Sequence, residues 1–262
     1  MKKPPSLQIH INVEALAQAA AEQFVTLAQE AIARRGRFSV ALAGGSTPRR
    51  TYTLLGHEPF ASQVDWTHVH IFWGDERCVP PDHPESNYRM ARETLLDRLP
   101  IPVTNVHRIP CEQAPEQAAM AYEATLRAFF TEGETPSEGN PTPRFDLVLL
   151  GMGEDGHTAS LFPGTAAIHE EERWVVATYV EKLRAWRVTL TPVVLNAAAH
   201  VTFLVAGEHK ARRLQEVLMG PYQPDRLPAQ IVRPHHGRLT WLADAEAARF
   251  IRGTRVPESH TG

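Results

Sequence analysis

The sequence predicts an α/β protein: a mostly parallel sheet with helices on both faces. Two observations predict it. Short apolar runs (FSVAL, VHIFW, FDLVLL, VTFLVA) alternate with stretches of helical spacing, the rhythm of parallel strands joined by helical crossovers. Each run also ends in glycine followed by polar or charged residues, and ligands of such sheets bind beyond the carboxyl ends of the strands. At 262 residues the chain can bury roughly 70–75% of its unfolded surface, as one large domain or two small ones. The strand–helix rhythm continues on both sides of the most turn-rich stretch, so we read one domain over 1–262.

The first element is the helix Val13–Arg35, alanine-rich, free of proline and stopped by Gly36. Residues 1–12 ahead of it are expected to be a loose end. Phe38–Gly45 is a short strand running into glycines. In STPRRTYTLLGH, Ser46 or Thr47 is placed to cap a helix, and Pro48 falls in its first turn, where a missing N–H costs nothing. Val69–Glu76 is the next strand, and the proline-rich CVPPDHPES leads into the helix NYRMARETLLDRL. Glu112–Phe130 is helical. Glu132–Pro143, dense in proline and glycine, reads as an exposed loop. FDLVLLG is a strand, HTASLF a short helix ended by Pro163-Gly164, and WVVATYV and WRVTL further strands. His200–Gly207 is a strand before the helix EHKARRLQEVLM, Leu239–Asp244 is the last strand, and 253–262 is a loose tail.

Composition excludes several classes. A net charge of −3 gives no electrostatic support to nucleic-acid binding. The start, MKKPPSLQIHINVEALAQ, lacks the apolar core of a signal peptide, and no apolar run reaches the roughly 18 residues of a membrane span. The only cysteines, Cys78 and Cys111, fit neither a C-x-x-C motif nor a disulfide framework, so a reducing, cytoplasmic setting is expected. Thirteen histidines include no H-E-x-x-H and no paired Cys/His spacing, so no metal is expected.

The strand ends carry the chemistry. In GGSTP, Gly45, Ser46 and Thr47 precede a helix N-terminus, an arrangement that suits a phosphate cradle or simply a tight turn; the Walker A spacing is absent. In GDER, Asp75 and Glu76 stand beside Arg77, whose guanidinium fits phosphate or carboxylate as a planar fork, or closes a salt-bridged rim. In GEHK, Lys210 lies at a helix start, a point charge for phosphate or an ordinary surface lysine. GMGEDG satisfies G-x-G-x-x-G, yet no long helix follows it and no acidic residue ends the next strand, so the dinucleotide reading fails. Asp155 and His157 remain. A histidine titrates near neutrality and can take a proton from water, while a neighbouring carboxylate fixes its tautomer and stabilises the imidazolium.

In this order, GGSTP, GDER, ESNYRMARETLL, GMGEDGHTASLFPG, RVTLTPVVLNAA and GEHKA resemble the 6-phosphogluconolactonases, from about Phe38 to Ala248. The resemblance implies hydrolysis of 6-phospho-D-glucono-1,5-lactone to 6-phosphogluconate, the second step of the pentose phosphate pathway. It implies a Rossmann-like fold shared with glucosamine-6-phosphate deaminases and ribose-5-phosphate isomerases, with no cofactor and no metal. The expected partner is the small sugar-phosphate lactone alone, met by a monomer. Carried over, His157 is the general base with Asp155 beside it. Gly45, Ser46, Thr47, Arg77, Arg187 and Lys210 meet the phosphate, and Asp75 belongs to the same binding set. The family often has K-P-P before its R-[VI]-T-L strand, whereas EKLRAW stands here, leaving open whether Lys182 or Arg184 takes that part. An aminosugar-phosphate deaminase-isomerase would carry F-N-E-P after D-G-H-x-A, and this chain has SLFP. A non-catalytic sugar-phosphate sensor would keep the cradle and lose the Asp–His pair.

Overall fold

The computed structural model describes residues 4–131 and 143–251. Its centre is a six-stranded, fully parallel sheet of β1 (Ser6–His10), β2 (Phe38–Leu42), β3 (Val69–Trp73), β5 (Leu147–Gly151), β8 (His200–Val205) and β9 (Arg238–Asp244). The strand order is β1-β9-β8-β5-β2-β3. A second, antiparallel sheet of three strands, β4 (Asp75–Arg77), β7 (Ala185–Leu190) and β6 (Val175–Val180), stands beyond the carboxyl end of β3. Helices surround the large sheet: α1 (Val13–Arg35), α2 (Ser46–Leu55), α3 (Asn87–Thr94), α4 (Pro115–Thr131), α5 (Pro192–Ala197) and α6 (Ala211–Met219).

Local chemistry explains the main elements. Asn12 caps α1 by accepting a hydrogen bond from Ala15 N at 2.8 Å, and Gly36 ends the helix in the left-handed region at φ 72°. Between them Leu16, Ala20, Phe24, Ala28 and Ala31 form a buried stripe at helical spacing. Every residue of β2 is buried, as expected of a strand covered on both faces. Phe24 meets Phe38 edge-on at 5.2 Å, and Phe203 stacks on Trp241 at 3.8 Å.

Two buried tyrosines pin the ligand edge. Tyr52 on α2 donates to Ala43 O and accepts from Ala43 N, both at 2.9 Å, just past the end of β2. Tyr122 on α4 serves Trp73 N and O in the same way at the end of β3. Each hydroxyl satisfies a peptide group that the diverging strands leave unpaired. Burial pushes both phenols far above their ordinary pKa, so both keep the proton they donate.

The structure corrects five sequence expectations. Residues 1–12 are not simply a loose end, because Ser6–His10 pairs in register with Thr240–Asp244. This edge strand rests on backbone pairing, and its side chains alternate between exposed and half-buried without an apolar run to betray it. Val69–Glu76 is two strands in two sheets, broken at Gly74. The strands at 175–180 and 185–190 join the small antiparallel sheet, not the parallel one. HTASLF forms turns, because Gly156 and Ala159 adopt φ 84° and 47°, which no helix tolerates. Neither Ser46 nor Thr47 caps α2; Gly45 holds that position at φ 105°. The expectations for the 132–143 loop and the 253–262 tail fall on 132–142 and 252–262, outside the described residues.

Candidate active site

The strand ends converge on one cavity of about 330 Å³. Gly45, Ser46, Thr47, Asp75, Arg77, His157, Arg187 and Lys210 all line it, and Asp155 stands directly behind His157. A larger cavity of about 740 Å³ lies at the amino ends of the strands, against Ser39, Arg144 and His200. It contains none of these residues and lies away from the edge where parallel sheets bind ligands.

His157 follows β5 in a tight loop. Its Nδ1 lies 2.5 Å from Asp155 Oδ1, and the same oxygen accepts from His157 N at 3.1 Å. With Nδ1 engaged by the carboxylate, Nε2 is the ring nitrogen left with a free lone pair. The ring stacks on Phe162 at 4.0 Å. Gly153 N holds the loop closed on His157 O at 2.9 Å. A Cβ on Gly153 would lie 2.1 Å from Nδ1, so only glycine lets the imidazole sit where it does. Burial pushes the imidazole down to about 4; Lys210, Arg187 and Arg77 act the same way, against Asp75. The imidazole is therefore neutral at pH 7, the form a base requires.

Three cations face this pair. Arg77 and Arg187 are directly opposed in the β4–β7 register, so like charges stand side by side. Arg77 is tethered through Nη1 to Glu85 O. Among the described residues neither the Arg187 nor the Lys210 side chain has an ion pair or a hydrogen-bond acceptor. Burial lowers the affinity of both for their protons, and Arg77 adds to the effect on Arg187. A guanidinium cannot shed its proton in a protein, so unpaired charge at this depth calls for an anion. The N-terminal turn of α2 supplies N–H groups beside them.

Several site residues escaped the sequence reading. Asn87, at the start of α3, donates to Asp75 O at 2.9 Å and to Asp75 Oδ1 at 3.3 Å. Gly44 leaves the room that Asn87 occupies, because a Cβ there would lie 1.9 Å from Asn87 Oδ1 and displace that amide. Ser160 donates to Asp75 Oδ2 at 2.6 Å, fixing a buried carboxylate inside a basic cavity. Glu76 is buried below it and accepts from Arg77 N, Asn87 N and Tyr88 N, each at 2.8 Å, and from Ser86 Oγ at 3.0 Å. The adjacency of ESN to GDER in a helix-start pattern was the one available signal for this network. Of the two alternatives in EKLRAW, Lys182 reaches the site: it pairs with Asp155 and lies 4.9 Å over the Phe162 ring. Arg184 sits in an exposed left-handed turn at φ 47° outside the cavity.

Among the described residues no group of three or more His, Cys, Asp or Glu side chains is disposed to hold a metal ion. No described helix is long and apolar enough to cross a membrane.

Residues 12–241 match the family described as Glucosamine-6-phosphate isomerases/6-phosphogluconolactonase. A 6-phosphogluconolactonase of Synechocystis sp. is 41% identical over 249 residues, covering 95% of this chain and 99% of its own length. One of Haemophilus influenzae is 36% identical, over 81% of this chain and 87% of its own. The solved 6-phosphogluconolactonase from Trypanosoma cruzi superimposes with a TM-score of 0.83 at 30% identity, covering 96% of this chain and 98% of its own. A monomeric glucosamine-6-phosphate deaminase, 21% identical with a TM-score of 0.75, shares the fold.

Proposed function

The chain belongs to the glucosamine-6-phosphate isomerase/6-phosphogluconolactonase family, and from that premise we propose that it is a lactone hydrolase. It opens 6-phospho-D-glucono-1,5-lactone to 6-phospho-D-gluconate in the pentose phosphate pathway. The observation that carries the reading is the pairing, in one cavity, of a carboxylate-backed neutral imidazole with half-buried Arg187 and Lys210, whose side chains form no ion pair among the described residues.

His157 Nε2 takes a proton from water as the oxygen attacks the lactone carbonyl. Asp155 holds the tautomer and stabilises the imidazolium that forms. Lys182, paired with Asp155, keeps that carboxylate oriented. As the tetrahedral intermediate collapses, the ring oxygen leaves and receives the proton from His157. Arg187, Arg77 and Lys210 hold the phosphate with the N–H groups at Gly45, Ser46 and Thr47, fixing the lactone end over the base. Asp75 repels a phosphate, so its role falls on the sugar hydroxyls. Two free thiols support a reducing, cytoplasmic setting. Phe162 on the face of His157 leaves no carboxylate where a deaminase would carry one.

The test is hydrolysis of freshly made lactone near pH 7, with spontaneous opening subtracted, for wild type and His157→Ala. The expected variant binds 6-phosphogluconate and loses most of the rate. A wild type that binds product yet gives no rate above buffer would establish a sensor in its place.

A further inference from the structure

Cys78 and Cys111 are the chain's only cysteines, 33 residues apart, and the fold brings their sulfurs to 3.9 Å. Cys111 is buried in the turn before α4, and Cys78 is half-exposed. Cys78 immediately follows Arg77 at the end of β4, and its N–H donates to Trp186 O at 3.1 Å, one residue before Arg187. The thiol pair therefore stands one residue behind both opposed arginines of the cavity.

We propose that Cys78 and Cys111 form an oxidative modification site, converted by a hydroperoxide to an internal disulfide that weakens phosphate binding through β4. For its effect on catalysis the inference rests on Arg77 and Arg187 as phosphate ligands; the thiol chemistry does not. Cys78 attacks first, being the accessible sulfur. The contact with the Cys111 sulfur lowers its pKa, and the Arg187 cation acts the same way, against burial, Glu76 and Glu116. Cys111 shifts upward, through that same contact and its burial. The Cys78 thiolate displaces alkoxide from the peroxide oxygen, giving a sulfenic acid, and the alkoxide takes up a proton as alcohol. The Cys111 sulfur then attacks the Cys78 sulfur. An S–S bond forms, the S–O bond breaks, and the hydroxide leaves as water with the Cys111 proton. Two electrons pass from the sulfurs to the O–O bond, with no other reductant. The sulfurs must close from 3.9 Å to about 2.05 Å, and the nearest backbone to move is the β4 end that carries Arg77.

The experiment treats the reduced full-length chain with hydrogen peroxide and reads intact mass, free thiols and steady-state kinetics. The expected result is loss of both thiols together, a mass lower by about 2 Da, and a KM for the lactone raised at least about threefold while kcat stays within about twofold. Dithiothreitol should restore all three. Cys111→Ser should keep the wild-type KM, form a dimedone-reactive sulfenic acid at Cys78 and show no peroxide-dependent change in KM. Affinity for 6-phosphogluconate, measured by calorimetry on the same samples, reads the cradle even if lactone hydrolysis is absent. Thiols that survive excess peroxide, oxygen added to wild-type cysteine without a disulfide, or a disulfide that leaves KM and product affinity unchanged would each overturn the proposal. Cys78→Ser, expected to resist oxidation at both positions, repeats the test if Cys111→Ser folds poorly.

Discussion

Replacing Gly153 by alanine tests whether the position of one imidazole sets the rate. The added Cβ would lie 2.1 Å from His157 Nδ1, 2.2 Å from Cε1 and 2.8 Å from Asp155 Oδ1. Ordinary contact begins at 3.4 Å, so the ring must retreat by about 1.3 Å or turn away from Asp155. The backbone at Gly153 lies outside the left-handed region, so alanine fits it without strain. Phe162 blocks one face of the ring, which directs the retreat out of its present plane of contact. A misplacement on the order of 1 Å costs about 100-fold in rate when geometry limits the reaction. The expected variant has kcat lower by about 100-fold, affinity for 6-phosphogluconate within about threefold of wild type, and an unfolding temperature within a few degrees. Stopped assays on fresh lactone and calorimetry with product measure the two halves separately. A kcat within about threefold of wild type would refute the reasoning, because the base would then work from a displaced position.

Other expectations follow from the same geometry. Arg187→Ala removes a charge-assisted contact worth about 1.5–3 kcal/mol, so 6-phosphogluconate should bind about 10- to 100-fold more weakly while unphosphorylated gluconate is indifferent; equal product affinity by calorimetry contradicts the cradle. The His157 imidazole, pushed down to about 4 in the free protein, loses its base form only as the pH falls toward that value. An NMR titration should place its midpoint well below the ordinary value near 6.5, and higher once product phosphate neutralises Lys210, Arg187 and Arg77. Burial also pushes His107 down to about 4, so stability should be full above pH 6.5 and fall as the pH drops toward 4. Urea unfolding at pH 7 and pH 4.5 would show no loss from these groups only if both histidines charged freely in the fold. Glu76→Gln turns an amide N–H₂ toward backbone N–H groups that the carboxylate now accepts, at about 1–3 kcal/mol. Calorimetric unfolding should drop by about 3–10 °C, and an unchanged midpoint would mean the network is dispensable.

What could be read from the sequence follows physical range. β2, β3, β5 and β8 are continuous apolar runs because both faces are covered, and such runs announce themselves locally. Gly45, Arg77, His157, Arg187 and Lys210 were legible because strand ends of a parallel sheet are where ligands bind, and the resemblance supplied Arg187. The small sheet was not legible. Asp75–Arg77 is three residues long and is a strand only because β7, more than a hundred residues on, pairs with it. β1 was hidden for the same reason. Asn87 and Ser160 act through hydrogen bonds to Asp75, 12 and 85 residues away, and beyond the ESN helix start nothing local marks them. Lys182 reached Asp155 despite the missing prolines, since β6 and β7 fix where their connecting turn lies.

The parallel pairing of β1 with β9 couples the fold to the order in which the chain is made. β2, β3, β5 and β8 can associate while the ribosome is still adding residues, but β1 is synthesised first and its partner last. Until Arg238–Asp244 emerges, β8 is an open edge with unpaired peptide groups, the surface on which strands of separate chains associate. Completion of the sheet thus waits until translation has passed Asp244. A transcript cut short before β9 yields a nascent protein with its His157 loop already encoded and its sheet unsealed, a natural target for chaperones and proteases.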